Sequence, residues 1–276
     1  MLEATLLALG SAALHAFWNL LVKTSEQRLF TAWGQFLVGG IITLPVLVAI
    51  GFPDSSSLPY LAISSVVHVV YVFSLVRAYH HGDFSLAYPL ARGGGAMLAA
   101  IGGVAFLSDQ LSALSWLAIA IVVGGLSSLV RRHVGHVAML WAGLTAVTIG
   151  TYTTIDAAGA RRTESGVAYG IALVLGAALA ITVYGTARGQ LRAFTRYVRA
   201  DWRRVSAGGL ASVLAYSMVL AGVKLAPVGY VAALRESSVV LGAAAGWLLL
   251  HERLGRARLA SSLIVTAGLV LLVASR

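Results

Sequence analysis

The sequence predicts an all-α polytopic membrane protein, ten transmembrane helices arranged as two inverted five-helix repeats. Three observations predict it. Hydrophobic residues make up 59% of the 276 and charged residues 11%, with a mean hydropathy of +0.86, whereas a water-soluble domain carries roughly a quarter charged residues. The apolar residues fall in blocks of about 20, the length that crosses a hydrocarbon core of ~30 Å. The chain also matches itself at a fixed offset, residues 92–129 aligning with 235–272.

The first span, about 4–22, has no basic side chain ahead of it, so it reads as a retained helix and not a cleaved signal. The second, 30–51, stops at Phe52-Pro53-Asp54-Ser55, and the third, 59–79, at His80-His81-Gly82-Asp83. The fourth, 84–106, ends at Ser108-Asp109-Gln110, and the fifth, 111–130, at Arg131-Arg132-His133. The sixth and seventh are 137–157 and 166–187; the eighth, 203–224, breaks at Ala226-Pro227, and 227–250 and 257–274 complete the set. Strands are excluded because the blocks are too long and lipid-exposed backbone must satisfy its own hydrogen bonds.

Between spans seven and eight, arginines at 188, 192, 196, 199 and 203 recur with helical spacing while Leu191, Phe194, Val198 and Trp202 share another face. That pattern suits an amphipathic helix on anionic lipid across 188–204, or a solvated basic loop; the helix fits the spacing better. The absence of cysteine excludes disulfides, thiolate metal sites and cysteine nucleophiles. The net charge of +10 does not imply nucleic acid, because most basic residues sit between apolar blocks.

Those loop charges orient the bundle in a cell (inner) membrane. Lys23, Arg28, Arg131, Arg132, Arg188, Arg192, Arg196, Arg199, Arg203, Arg204, Arg253, Arg256 and Arg258 fall on one side, and Arg161, Arg162, Lys224 and Arg276 on the other. The rich side is then cytoplasmic and both termini lie outside.

The offset superposes Arg92 on Arg235, Ala99 on Gly242, Gly103 on Gly246, Asp109 on Glu252, Leu111 on Leu254 and Gly125 on Gly268; a weaker match lays Trp18 over Tyr152. The chain thus reads as a duplicated unit, 1–132 and 135–276. Five spans is an odd number, so the second unit is inverted, the recurrent plan of secondary transporters. Gly242-x3-Gly246 and its counterpart Ala99-x3-Gly103 are close-packing pairs. Small-residue faces on spans five and ten suit a homodimer or packing within the bundle.

These features resemble the EamA branch of the drug/metabolite transporter superfamily. The residues that carry the resemblance are Tyr88-Pro89-Leu90-Ala91-Arg92, the run from Ala226 through Arg235-Glu236 to Ser238, and the helix-ending Ser108-Asp109-Gln110-Leu111 and His251-Glu252-Arg253-Leu254. The resemblance implies a ten-helix fold with a cavity lined by spans one, three, four, six, eight and nine, and transport, more commonly export. Members usually keep both termini in the cytoplasm, which the loop charges here reverse.

A charge at the bilayer centre costs at least ~2.5–3.5 kcal/mol, so each is a functional candidate. Arg92 and Arg235 lie about eight residues into their helices, and inversion would station one on each side of the midplane, as a path for an anion requires. Each could instead lock its helix start. Arg235 has candidate acid partners in Glu236 and Asp156, whereas Arg92 has none in its half of the membrane. His15, Trp18 and Asn19 on span one, His68 and Tyr71 on span three, and Tyr152 and Tyr216 in the second half are the expected cavity lining. Glu236, His15 and His68 are the proton-coupling candidates, although Glu236 could equally be a permanent counter-ion. His80, His81, His133, His136 and His251 show no metal-ligand spacing, and Gly93-Gly94-Gly95 lacks the Lys-Ser/Thr of a nucleotide loop, so no cofactor is implied.

The expected function is alternating-access transport of a small polar metabolite with an anionic group. The rivals are a lipid or isoprenoid flippase and an intramembrane enzyme on a lipid substrate, which the few scattered acids do not favour. The orientation is testable: cysteines added at either end are expected to react with impermeant maleimide in intact cells, and protection of both would reverse it.

Overall fold

The computed structural model describes residues 1–81, 84–128, 135–241, 244 and 256–275. The chain is helical over most of these segments: α1 (Leu2–Lys23), α2 (Arg28–Ile50), a 3-10 turn (Ser55–Ser57), α3 (Leu58–His81), α4 (Phe84–Leu107), α5 (Ala113–Ser127), α6 (His136–Ala160), α7 (Gly166–Ala187), α8 (Leu191–Ala200), α9 (Trp202–Leu225), α10 (Val228–Arg235) and α11 (Arg256–Ala274). Seven of the described helical stretches are long and apolar enough to cross a membrane, with shorter apolar helices at Ala113–Ser127 and Leu259–Ala274. The Gly242–Gly246 pair, the Arg131–His133 turn and the stretch from His251 to Leu254 lie outside the described residues, as do the side chains of His80, Tyr88, Pro89, Arg256 and Arg258.

Local chemistry sets several ends. Ser112 and Ser165 accept from the backbone N–H groups of Ser115 and Ala168 and so cap α5 and α7. After α4, Ser108 takes a left-handed φ of 58° and the Asp109 N–H bonds back to the Gly103 carbonyl, 3.1 Å away. That reversal aims the Asp109 carboxylate at the start of α10, where Oδ2 accepts from the Val228 N–H at 2.6 Å.

The helices pair in a definite pattern. α1 packs on α9 and α10, and α6 on α3 and α4; α2 packs on α7 and α9, α7 also on α3, and α5 on α11. Burial on α1 runs along one stripe, Ala4, Ala8, Ser11, Ala12 and His15, while Leu2, Leu6 and Phe17 face outward. The interior is rich in alanine and the exterior in leucine, isoleucine and valine. In lipid, apolar burial does not drive helices together, so small residues that let backbones touch matter more.

α2 and α9 approach backbone to backbone. A Cβ on Gly39 would stand 2.5 Å from the Gly209 carbonyl oxygen, and one on Gly209 would stand 2.7 Å from that of Gln35. α5 and α11 are similarly tight at Gly125 and Gly268, with the Ser261 hydroxyl on the Gly125 carbonyl. These small residues of spans five and ten are therefore used in packing within the chain.

The stretch 191–200 is helical as expected, and part of the apolar face of α8 is taken up by the bundle while Leu191 stays exposed. Phe194 is buried and stacks on Trp33 of α2, ring centroids 3.7 Å apart, while Val198 packs over Gly34. Trp202 is exposed and belongs to α9. The Tyr197 hydroxyl meets Ser25 and Thr31, tying α8 to the α1–α2 turn. An apolar stripe of this width suits a protein surface as well as a lipid one, and a groove between α2 and α9 was available. The arginines at 188, 192, 196, 199 and 203 remain exposed.

Gly39→Leu should destabilise the protein by at least ~1–3 kcal/mol, because backbone atoms cannot move aside. Gly124→Ala, with nothing within 4 Å of the new methyl group, should be neutral or stabilising. Thermal unfolding in one detergent compares the two.

Candidate functional site

A cavity of about 190 Å³ opens beside the α1–α2 turn and runs inward between α1, α2, α3, α6, α7 and α9 to the end of α10. Its mouth reaches the exposed Arg28 and Leu29 together with Lys23; its floor is Arg235. His15, Trp18, Asn19, His68, Tyr71, Tyr152, Tyr216 and Arg235 all line it, and Arg92 does not.

The aromatic walls form a connected set. His68 lies over Tyr152, centroids 4.2 Å apart, Tyr71 meets Tyr152 edge-on at 5.4 Å, and Tyr216 is 6.1 Å from His68. His15 sits edge-on to Trp18 at 4.8 Å. Asn19 turns its amide onto the carbonyl of His15 one helical turn back, 2.8 Å away. The lining that the sequence did not single out is mostly apolar: Phe36 on α2, Leu173, Val174 and Ala177 on α7, and Ala215 on α9. Such residues carry no polar signature and are indistinguishable in sequence from lipid-facing or packing positions.

The two arginines are held differently from expectation. Arg92 is buried and bidentate on Glu236, with Nη2 to Oε1 at 2.7 Å and Nε to Oε2 at 3.2 Å. It therefore has an acid partner, supplied by the other half of the chain. Neither acid adjacent to Arg235 in expectation pairs with it, since Glu236 turns to Arg92 and Asp156 to Tyr216. The guanidinium of Arg235 lies 5.5 Å from the Tyr216 ring centroid and its Nη2 is 3.2 Å from His15 Nδ1, while Nε makes no hydrogen bond.

The two arginines also converge where inversion suggested separate stations. Eight residues of helix advance about 12 Å, close to the middle of a ~30 Å core from either face. The bidentate contact of Arg92 with Glu236 sets both arginines at one level of the bundle, since Glu236 follows Arg235 directly in the chain. α10 stops at Arg235, Glu236 forms a turn, and helix resumes at 237–241.

The opposite end of the bundle is sealed by polar contacts. Arg161 pairs with Asp109 at 2.8 Å and donates to the carbonyls of Val223 and Ala226. Arg162 covers the Tyr60 ring at 4.5 Å, and Lys224 caps the carbonyls of Thr163 and Glu164. Asp54 accepts from the Glu164 N–H at 3.1 Å. One end of the bundle thus carries a mouth and the other an interlocked set of loops. No cluster of three metal-ligating side chains occurs among the described residues.

The profile of the EamA-like transporter family matches residues 136–274. No curated protein matches the chain. Among solved structures 29 chains match. One, titled only as the crystal structure of a protein, superposes with a TM-score of 0.73 over 98% of each chain at 15% identity, a likeness of fold.

Arg92→Met should cost ~3–5 kcal/mol, because it leaves a buried carboxylate unpaired, and Arg92→Met with Glu236→Met should recover much of that loss. Thermal melts of wild type, both single variants and the double variant measure the coupling; four additive values would show that the pair does not act as a unit.

Proposed function

The chain belongs to the EamA-like transporter family, and from that premise we propose that it is a secondary transporter of a small amphipathic metabolite with an anionic group. The observation that carries the anionic reading is the charge of the cavity lining: Lys23, Arg28 and Arg235 are cationic, and no aspartate or glutamate is among the described lining residues. A guanidinium without a carboxylate partner, set at the floor of an aromatic cavity, is arranged to take a carboxylate, phosphate or sulfonate. His15, Trp18, Tyr71, Tyr152 and Tyr216 offer faces and edges to an apolar or aromatic body, with Asn19 and His68 as neutral polar contacts. Arg92 then serves as the clamp that holds Glu236 away from Arg235, and binds no substrate itself.

Alternating access is supported by the pattern of helix partners. Exchanging the halves 1–132 and 135–276 turns the packing of α6 on α3 and α4 into that of α1 on α9 and α10, and returns α2 with α7 and α5 with α11 onto themselves. Such a bundle has a second arrangement of equal kind, in which the present mouth closes and the sealed end opens. With the arginine-rich side cytoplasmic, the present cavity loads from the cytoplasm, the starting point of export.

Thermal stabilisation of the purified protein by benzenesulfonate or phenylacetate, but not by benzylammonium, is the expected result. Arg235→Ala should weaken that anion binding about tenfold to a hundredfold, the loss of a charged hydrogen bond of ~1.5–3 kcal/mol. Equal affinity in Arg235→Ala, or stabilisation by the cation alone, would sink the anion reading.

A further inference from the structure

Asp156 is a buried carboxyl on α6 that the cavity lining does not include. Its Oδ2 accepts a hydrogen bond from the Tyr216 hydroxyl, and its Oδ1 makes none. The hydroxyls of Ser64 on α3 and Tyr169 on α7 stand around it. The buried cations of the neighbouring helices are already engaged elsewhere, Arg92 of α4 with Glu236 and Arg235 of α10 with His15 and the Tyr216 ring, and Arg161 and Arg162 at the end of α6 are held by Asp109, backbone carbonyls and the Tyr60 ring. The other titratable groups that face this region are Tyr152 on α6 itself, with Tyr60 and His68 on α3. A carboxylate in hydrocarbon without a cation opposite is among the costliest groups a membrane protein can hold, and a proton on the bare Oδ1 removes that charge.

The other candidates for a moving proton are each fixed by their contacts. Both oxygens of Glu236 are bound by Arg92. Because a guanidinium only donates, His15 Nδ1 must accept from Arg235, and protonating it would set donor against donor. His68 Nδ1 must donate to the Ser64 carbonyl at 2.9 Å, and a second proton on that ring would add a cation to a cavity already lined by Lys23, Arg28 and Arg235.

Resting on the transporter reading above, we propose that Asp156 is the proton-binding site of the cycle, its Oδ1 taking up one proton as an anionic group binds at Arg235. Tyr216 joins the two sites, its hydroxyl on Asp156 and its ring against Arg235. An anion on Arg235 brings negative charge within one ring's width of the carboxyl, and like charges at that separation in low dielectric favour neutralising one of them. By linkage, the proton in turn tightens the anion. Anion and proton then cross together as a neutral pair, and their summed gradients set the direction of flux.

Infrared spectroscopy of the protein in liposomes tests the site without any substrate. During a pH titration a carboxyl C=O band protected from deuterium exchange should appear on acidification, vanish in Asp156→Asn and persist in Glu236→Gln. The opposite pattern would overturn the assignment, as would a band governed by sodium at constant pH. Should Asp156→Asn not fold, Tyr216→Phe keeps the carboxyl and is expected to move the band to higher frequency by removing its hydroxyl partner; an unmoved band counts against Asp156. Coupling is read with benzenesulfonate, which cannot carry a proton itself, in liposomes loaded with a pH dye. Wild type should change the internal pH as benzenesulfonate moves, and Asp156→Asn should move it with the pH trace at the protein-free baseline. An undiminished pH change in Asp156→Asn would refute the proposal. Absence of benzenesulfonate flux in wild type would bear on the anion reading alone, and the infrared comparison then decides Asp156.

Discussion

A guanidinium and a carboxylate buried in hydrocarbon are each costly alone and tolerable together, and the centre of this bundle is organised around that constraint. Arg92 comes from α4 and Glu236 from the turn that follows α10, so the ion pair joins the first half of the chain to the second. Its bidentate geometry uses both carboxylate oxygens and fixes the orientation of both groups. Because Glu236 is committed there, Arg235 one residue earlier is left facing the cavity. The break in the helix matters to this division. In a continuous α-helix adjacent residues point about 100° apart, and ending α10 at Arg235 with a turn at Glu236 lets the two charges take separate partners. Broken helices at mid-membrane supply freed backbone and side-chain polar groups in transporters generally; here the Ser237 and Ser238 hydroxyls beside the break make no hydrogen bond.

The two ends of the molecule carry different kinds of contact. At the sealed end Arg161 neutralises Asp109, which also holds the N-terminus of α10, and three loops interlock through backbone carbonyls. At the mouth the α1–α2 turn is held by hydroxyl contacts to Tyr197 of α8 and by Arg204, which bonds the Leu21 carbonyl and the Thr24 hydroxyl. Single hydrogen bonds of this kind each contribute modestly, about 0.5–1.5 kcal/mol net. A transporter needs ends that can be exchanged, and many small polar contacts break in sequence at less cost than one apolar seam of equal strength.

The membrane class was legible from composition alone, and a single offset that laid Arg92 on Arg235 suggested a duplication. His15, Trp18, Asn19, His68, Tyr71, Tyr152 and Tyr216 could be singled out because a polar or amphipathic side chain inside an apolar span is conspicuous. What sequence could not reveal was pairing. Glu236 lies next to Arg235 in the chain, so adjacency suggested one partner, while the fold supplied another from a helix more than a hundred positions away. Depth was misjudged for the same reason, since eight residues from either face arrive at one level. The apolar stripe of α8 was ambiguous in another way: Phe194 and Val198 carry equal hydrophobicity toward lipid or protein, and the space left by Gly34 draws these two inward.

The composition of the cavity also determines what kind of selectivity it can have. Walls of Trp18, Phe36, Tyr71 and Tyr152 distinguish ligands that differ by a methylene by only ~1–3 kcal/mol, and flat aromatic faces accept many shapes. Charge is discriminated far more steeply. A cationic ligand would have to approach the buried Arg235 with no carboxylate among the described lining residues to offset it, in surroundings where Coulomb terms are several times larger than in water. A neutral ligand would leave the guanidinium as unsatisfied as it is when empty. On the proposed anion reading, selection works on the sign of the charge first and on shape second, so related anions of different apolar bodies should compete for the site more effectively than a neutral analogue of the same shape.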